Sequence, residues 1–325
     1  MIGLALIRES GSVPKAWELR PSESGNFGIA QFSGLLQRFE AIPRGEGAEA
    51  RHWTAGALEH SALPAIDPQD SHSEEDYRNL VEQARQACLD GVVEKVVLSR
   101  TRAYPSSSVQ PLEAFERLSE AYPRATVFLL RAPGESIWMG ATPECLTEVQ
   151  GQVVRTMSLA GTRLLGSKGV WGLKEREEQH VVTKDIVQML QALGLQSLEI
   201  DGPTILQAGP VEHLCSHITG VHSTISAWEV ALALHPTPAV GGLPRAQSQA
   251  FIRLHGGYNR RNYSGYFGWS GPERSVFYVT LRCVEWGSDG LLGYAGGGIT
   301  AKSDPEGEWV ETEQKLRTLE SVLIG

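Results

Sequence analysis

Two pairs of glutamates repeat one spacing in this chain. Glu175 and Glu178 stand at i and i+3 near the start of a segment with helical periodicity at about 172–193, and Glu308 and Glu311 do the same in a segment at about 307–323. In the first segment Val182, Ile186 and Met189 form an apolar stripe, and stepping back at helical spacing puts Glu178 and Glu175 on it. In the second, Val322, Leu319 and Lys315 lead back to Glu311 and Glu308 in the same way. Carboxylates on the core side of a helix need a cation or a proton, because burying an unpaired charge costs on the order of several kcal/mol. Hard oxygen donors with no His or Cys cluster beside them favour magnesium over zinc, and a helix N-terminus adds a modest favourable field. The competing reading is that acids in a first helical turn are solvated cap residues, which fits either pair alone better than it fits two matching pairs.

The elements that must position these groups follow from the same patterns. Ser73, with Asp76 three residues on, starts a helix carrying Tyr77, Leu80, Val81, Ala84 and Cys88 at helical spacing, and Asp90-Gly91 stops it. Val92 to Tyr104 then reads as a strand, with Lys95, Val97, Ser99 and Thr101 on one face and Val96, Leu98 and Arg100 on the other. Short strands are predicted at 125–131, 136–140, 145–149 and 152–158, and again, after the helix at 172–193 and a mixed segment, at 263–270, 275–285 and 291–300. Residues 42–73, rich in Gly, Pro, Ser and His, form the softest stretch. Strands come in blocks with helices between the blocks, without βαβ alternation, so the class is α+β with large antiparallel sheets. Gly296-Gly297-Gly298 is no dinucleotide fingerprint, since no helix opens after it at the required spacing.

With 325 residues, 41% of them hydrophobic, the chain can bury a large core as one domain or as two closely packed halves. A net charge of -9 without a Lys/Arg run argues against a nucleic-acid or anionic-membrane surface, so an anionic ligand must be met by a few local cations. There is no signal-peptide pattern and no apolar run long enough for a membrane span, which makes the cytoplasm the expected location. Cys88, Cys145, Cys215 and Cys283 are far apart and read as reduced thiols.

Seven segments, taken in order, carry a resemblance. They are Glu94-Lys95-Val96-Val97-Leu98-Ser99-Arg100, Ala141-Thr142-Pro143-Glu144, Leu159-Ala160-Gly161-Thr162-Arg163, Lys174-Glu175-Arg176-Glu177-Glu178, His213-Leu214, Ala295-Gly296-Gly297-Gly298, and Glu308-x-x-Glu311-x-x-x-Lys315. In these residues the chain resembles the chorismate-utilising enzymes, a family that includes isochorismate synthase, salicylate synthase and the large subunits of anthranilate and aminodeoxychorismate synthase. The likeness covers roughly residues 75 to 323. It implies two large antiparallel β-sheets packed face to face with helices on the outside, residues 1–74 being a variable N-terminal part and 75–325 the chorismate-binding catalytic region of one compact unit. It also implies that Glu178 and Glu311 ligate magnesium directly, that Glu175 and Glu308 support it through water, and that the metal grips the ring carboxylate of chorismate. Arg282, on the strand before the glycines, and Lys315 would meet the enolpyruvyl carboxylate, with Tyr263 nearby. Backbone N–H groups around Gly296, Gly297, Gly161 and Thr162 can approach the substrate because small residues leave room, and His213 would complete the carboxylate contacts. The plain alternative for Arg282 is pairing with Glu285 or another acid.

Position 95 chooses among the family's activities. The amide-forming members typically carry Gln there and the water-adding members Lys, as this chain does. Water must lose a proton as it attacks C2 while the C4 hydroxyl leaves, and a buried amine can take that proton, since desolvation disfavours its charged form. Glu144 stands in the family position for the acid that protonates the departing hydroxyl, a task for a carboxyl kept partly protonated by its surroundings. The loop Leu234-His235-Pro236-Thr237-Pro238-Ala239-Val240-Gly241-Gly242 looks like the isochorismate synthase version. The expected activity is magnesium-dependent isomerisation of chorismate to isochorismate, with no glutamine amidotransferase partner. Salicylate synthase, which goes on to eliminate pyruvate, is the runner-up, followed by an anthranilate or aminodeoxychorismate synthase large subunit; a non-catalytic descendant would have little use for Lys95, Glu144 and all four acids. Two departures stand out: Gln179 where the family often has His, and a short region before residue 75.

Overall fold

Short apolar runs and hairpin turns give this chain more strand than helix. The computed structural model describes residues 2–323 apart from 61, 106–108 and 168–169 and the side chains of 318 and 321. It begins with β1 (Gly3–Arg8), β2 (Lys15–Pro21), β3 (Phe27–Ala30) and β4 (Leu36–Glu46), strands the periodicity above does not predict. Helix α1 (Ala48–Glu59) lies inside the stretch expected to be soft; its buried residues are Ala50, Thr54 and Ala57, too small to show as an apolar stripe. Helix α2 (Glu74–Leu89) matches expectation, and the Ser73 side chain accepts from the Asp76 N–H at 3.1 Å. Next come β5 (Lys95–Tyr104), α3 (Pro111–Ala121), β6 (Thr126–Arg131), β7 (Ile137–Thr142), β8 (Cys145–Gln150), β9 (Val153–Leu164) and α4 (Leu173–Ala192). The mixed segment resolves into the long hairpin β10 (Gln196–Ala208) and β11 (Val211–Val221), then α5 (Ala227–Leu234), β12 (Gly242–Leu243) and α6 (Arg245–His255). Strands β13 (Tyr266–Trp269), β14 (Ser275–Val279), β15 (Cys283–Trp286) and β16 (Leu291–Ile299) precede the last helix, α7 (Pro305–Leu323). The single strand predicted at 275–285 is thus two, and Arg282 lies in the break between them at φ 46° instead of on a strand.

Among the described residues sixteen strands join in one antiparallel sheet, in the order β10-β11-β9-β8-β14-β13-β3-β4-β2-β1-β6-β7-β15-β16-β5-β12. The expected face-to-face packing is present, with a difference: the two layers are parts of one continuous sheet. Phe128 on β6 and Phe267 on β13 have ring centroids 4.5 Å apart although β3, β4, β2 and β1 lie between those strands in hydrogen-bonding order. The sheet therefore folds back on itself through its N-terminal strands. Phe27, Phe128, Trp138, Phe267 and Tyr278 fill the space between the layers. Helices cover the outer faces. α4 and α5 pack Val182, Ile186 and Val230 on one layer, α3 and α7 pack Phe115, Leu118, Leu319 and Val322 on the other, and α2 and α6 close over β5. Among the described residues no helix is long and apolar enough to cross a membrane.

The interlayer core is what holds the two ends of the sheet together, so Phe128→Ala should lower unfolding stability by about 3–5 kcal/mol. A urea titration checks this; a loss below about 1 kcal/mol would mean the layers do not depend on that contact.

Candidate active site

Lys95 opens β5, flanked by β12 and β16: Leu243 lies opposite it, and Gly298 lies opposite Val97. Its carbonyl accepts from Ser248 Oγ at 2.9 Å, which ties α6 to the same point. The side chain is buried, and Nζ stands 2.9 Å from Glu178 Oε1. The charges attract at that distance, but the contact is not aligned as a hydrogen bond, and Nζ has no hydrogen-bond partner among the described residues. Glycine at 298 permits this approach, because a Cβ there would stand 2.4 Å from Glu178 Oε1 and 2.7 Å from Lys95 Cε. At Gly297 a Cβ would meet Glu308 Oε2 at 2.9 Å. The bare backbone of β16 is the floor over which α4 and α7 present their acids to Lys95.

The first turns of α4 and α7 meet above that floor. Lys174 Nζ donates to Glu308 Oε1 at 2.5 Å; burial works against this ammonium, but Glu308, Glu178 and Glu311 outweigh it and raise its pKa. Lys315 donates to Glu311 Oε1 at 2.8 Å and to Gly296 O at 2.6 Å. Burial, and then the adjacent Glu311, push the Glu308 carboxyl up to about 7. Glu311 is also buried, yet Lys315 and Lys174 hold it below the usual carboxylate range. Three of the four predicted acids therefore gather in one place, with the Lys174 ammonium among them. Glu175 is apart: its carboxylate curls toward Gly172 at its own helix start, where a Cβ would lie 2.4 Å from Oε2, as suits the free N–H groups of a first turn. Among the described residues no three acid, His or Cys side chains are already gathered as a metal site. The donors nonetheless have the chemistry of one for a hard cation. They are all carboxylate oxygens, Glu308 Oε2 is buried without a hydrogen-bond partner among the described residues, and the spot already accommodates an ammonium.

Glu144 sits at the junction of β7 and β8, where its carbonyl accepts from the Val279 N–H at 3.1 Å. Its side chain is buried, and burial raises its carboxyl to about 8, only partly offset by the charge of Lys95. This carboxyl keeps its proton near neutral pH, in contrast to Glu311 nearby.

On the far side of the cavity, Arg282 is fixed through two neutral partners. One guanidinium nitrogen donates to Ala208 O, and the other donates to His213 Nε2 at 2.8 Å. Burial lowers this guanidinium to about 10, so it stays charged near neutrality. Glu285, the plain alternative as its partner, is engaged instead by Arg261, Ser136 and Tyr294. Burial, reinforced by Arg282 and Lys315, pushes His213 well below the usual imidazole range. Its Nδ1 lies 3.3 Å from Gly161 O and 3.2 Å from Thr162 Oγ1, so both ring nitrogens are engaged inside the protein. Thr162 also helps to hold Glu311 low, and Gly161 takes φ 66°. Tyr263 stacks on Tyr294 with centroids 5.3 Å apart.

These groups surround a cavity with about 670 Å³ of empty space, part of it open to solvent. Of the predicted site residues, Glu144, Gly161, Thr162, Glu178, His213, Tyr263, Arg282, Gly296, Gly297, Glu311 and Lys315 line it. Lys95 and Glu308 stand immediately behind Gly298 and Gly297, and Glu175 does not reach it. The loop at 234–242 forms one wall through Ala239 and Val240, pinned to β5 by the Val97 N–H to Gly241 O bond at 3.1 Å. Two polar residues take parts that sequence reasoning does not assign. Lys174 is legible there only as part of a motif. Gln179 is a buried amide that accepts from the Ala160 N–H at 3.0 Å and donates to Ser158 and Ser216, clamping α4 to β9 and β11. The buried stripe of α4 runs through it, with Val182, Ile186 and Leu190, while Met189 is half-buried.

A family model described as chorismate binding enzyme matches residues 44–324. The isochorismate synthase MenF of Escherichia coli (strain K12) is 31% identical over 264 residues, covering 76% of this chain and 60% of that protein's length. The isochorismate synthase DhbC of Bacillus subtilis (strain 168) is 31% identical over 265 residues, covering 75% of this chain and 67% of that one. A solved structure of MenF, described as the menaquinone-specific isochorismate synthase from Escherichia coli, superposes with a TM-score of 0.83 at 24% identity, over 99% of this chain and 88% of the other. That likeness is one of fold.

The state of Glu144 has a thermodynamic consequence. The folded carboxyl holds its proton up to about 8, whereas the unfolded one releases it near 4.5. The native state therefore binds more protons between these limits, and the contribution to stability is lost as pH rises through them. Glu144→Gln, neutral at every pH, should gain on the native protein across that window, by on the order of a few kcal/mol at its upper end. Urea midpoints of both proteins at the two ends of the window measure this; a difference that does not change with pH would show that the carboxyl is ionised when folded.

Proposed function

This chain belongs to the chorismate-binding enzyme family, and on that premise we propose that it is an isochorismate synthase, adding water at C2 of chorismate as the C4 hydroxyl departs. The observation that carries the reading is the pairing of opposite protonation tasks around one cavity: a buried lysine at position 95, behind Gly298, and a carboxyl at position 144 that lines it and keeps its proton near neutrality. The names of the relatives support the same activity.

In this reading Arg282 and Lys315 bind the enolpyruvyl carboxylate, and His213 and Ala208 O hold the guanidinium in place from behind. Tyr263, packed on Tyr294, limits where the ring can lie. Small residues at 161, 296 and 297 let the backbone come close to the substrate. Glu178 and Glu311 would hold magnesium directly, with Glu308 supporting through water, and the ion would neutralise the ring carboxylate when bound; Glu175, turned to its own helix start, stands apart from them. Lys174 now occupies part of this donor set, so a metal and this ammonium would compete for it.

Lys95, as the free amine, takes a proton from the attacking water, and Glu178 at 2.9 Å is placed to face the ammonium that results. The hydroxyl forms its bond to C2, the ring double bonds shift, and the C4 oxygen leaves with the proton of Glu144 as a second water. One water enters and one departs, so the reaction is an isomerisation. Water as the nucleophile removes any need for a glutamine amidotransferase subunit, and the enzyme would work alone in the cytoplasm.

Incubation of the pure protein with chorismate and magnesium should give isochorismate as the separated product. Salicylate with pyruvate, or turnover only with ammonia or a second subunit, would overturn the assignment. Lys95→Gln should lower the isomerisation rate by about 10²- to 10⁴-fold; full activity in that variant would remove Lys95 from the mechanism.

A further inference from the structure

Outside the cavity just described lies a larger one, with about 1510 Å³ of empty space, and the two share Pro143 and Arg282. Its walls are the end of the β10–β11 hairpin, the turn after α3 and the outer side of α7. Arg124 and Arg317 line it together with Arg282, and among the described residues no Asp or Glu does. Many arginines of this chain meet acids, as Arg274 does Glu9 and Glu148, Arg163 Glu212, and Arg102 Glu313 and Glu320, while Arg8, Arg38 and Arg260 bond backbone carbonyls. Among the described residues no ion pair holds an arginine of this cavity. Arg124 donates to the neutral Gln207 Oε1 at 2.7 Å, which also bridges the α3 turn to the hairpin, and Arg282 is held by the neutral Ala208 O and His213. In a chain of net charge -9, guanidinium groups that line one cavity with no acid in its wall concentrate positive potential there.

We propose that this outer cavity is a vestibule that captures the dianionic substrate, Arg124 and Arg317 drawing it in and passing one carboxylate to Arg282 at the inner threshold. The proposal rests on the reading of chorismate, a dicarboxylate, as the substrate. Neither arginine touches the reacting atoms, so their effect belongs to capture and fades as salt screens it. The field of such groups reaches ~30 Å at about 10 mM salt and ~3 Å at about 1 M.

The test compares Arg317→Glu, Arg124→Glu and the neutral Arg317→Gln with the native enzyme in magnesium and chorismate at those two salt concentrations. At low salt KM should rise about three- to tenfold in the charge reversals and less in Arg317→Gln, with kcat within about twofold of native, and the values should converge at high salt. Arg317→Gln, which keeps the polarity and much of the size of the side chain, guards against a folding defect, as do matched thermal midpoints. An unchanged KM in active charge reversals, or a rise that persists undiminished at high salt, would overturn the vestibule while leaving the activity intact. Native protein that turns over no chorismate would overturn the activity and the vestibule together.

Discussion

A lysine enclosed at the end of a strand is the constraint from which the surrounding architecture follows. The Lys95 side chain is buried, and a buried charge without a partner is costly enough to be neutralised or to unfold its surroundings. Glu178 therefore has to reach it, which fixes where the first turn of α4 lies. That turn and the first turn of α7 must pass over β16 at a distance no side chain on the strand would allow, so Gly297 and Gly298 stand there. Bringing Glu308 and Glu311 to the same place adds like charge, which Lys174 and Lys315 offset, and where the offset is incomplete Glu308 is pushed toward neutrality. The site is a balance of buried acids and lysines arranged on backbone.

Within one cavity the carboxyls divide into two kinds because their neighbours differ. Glu144 is governed by burial, with a single lysine charge acting against it, and it stays protonated. Glu311 has two lysines and Thr162, and it stays ionised. The first is suited to give a proton, the second to hold a cation. Arg282 differs again: strained backbone at φ 46° aims it into the cavity, and two neutral acceptors hold it without cancelling its charge for an incoming carboxylate.

How far the sequence carries this picture varies with the kind of signal. Helical periodicity locates Glu178, Glu308 and Glu311 on α4 and α7, because large apolar residues downstream mark the faces of both helices. It does not say where the Glu175 carboxylate turns, since a first-turn acid has free N–H groups as a competing attraction. The cap at Ser73 is legible because capping is local chemistry. By contrast β1 to β4, the strands through which the sheet folds back, and the β10–β11 hairpin, which walls the vestibule, are not. β10 is an edge strand with mostly exposed side chains, and its stability comes from β11 instead of from its own pattern. Glu144, His213 and Arg282 stand on turns and strand ends, where no periodicity points, and only motif resemblance picks them out. Gln179 shows in the sequence as a departure, but its role depends on Ser158 and Ser216, which only the fold brings within reach.

The central claim is that solvent water, activated at Lys95, becomes the new hydroxyl. Running the reaction in ¹⁸O-enriched water and analysing the isochorismate by mass spectrometry tests this directly. The expected result is a solvent-derived oxygen at C2 in every product molecule. Unlabelled isochorismate would mean that the original hydroxyl migrates within the substrate, and would contradict the claim.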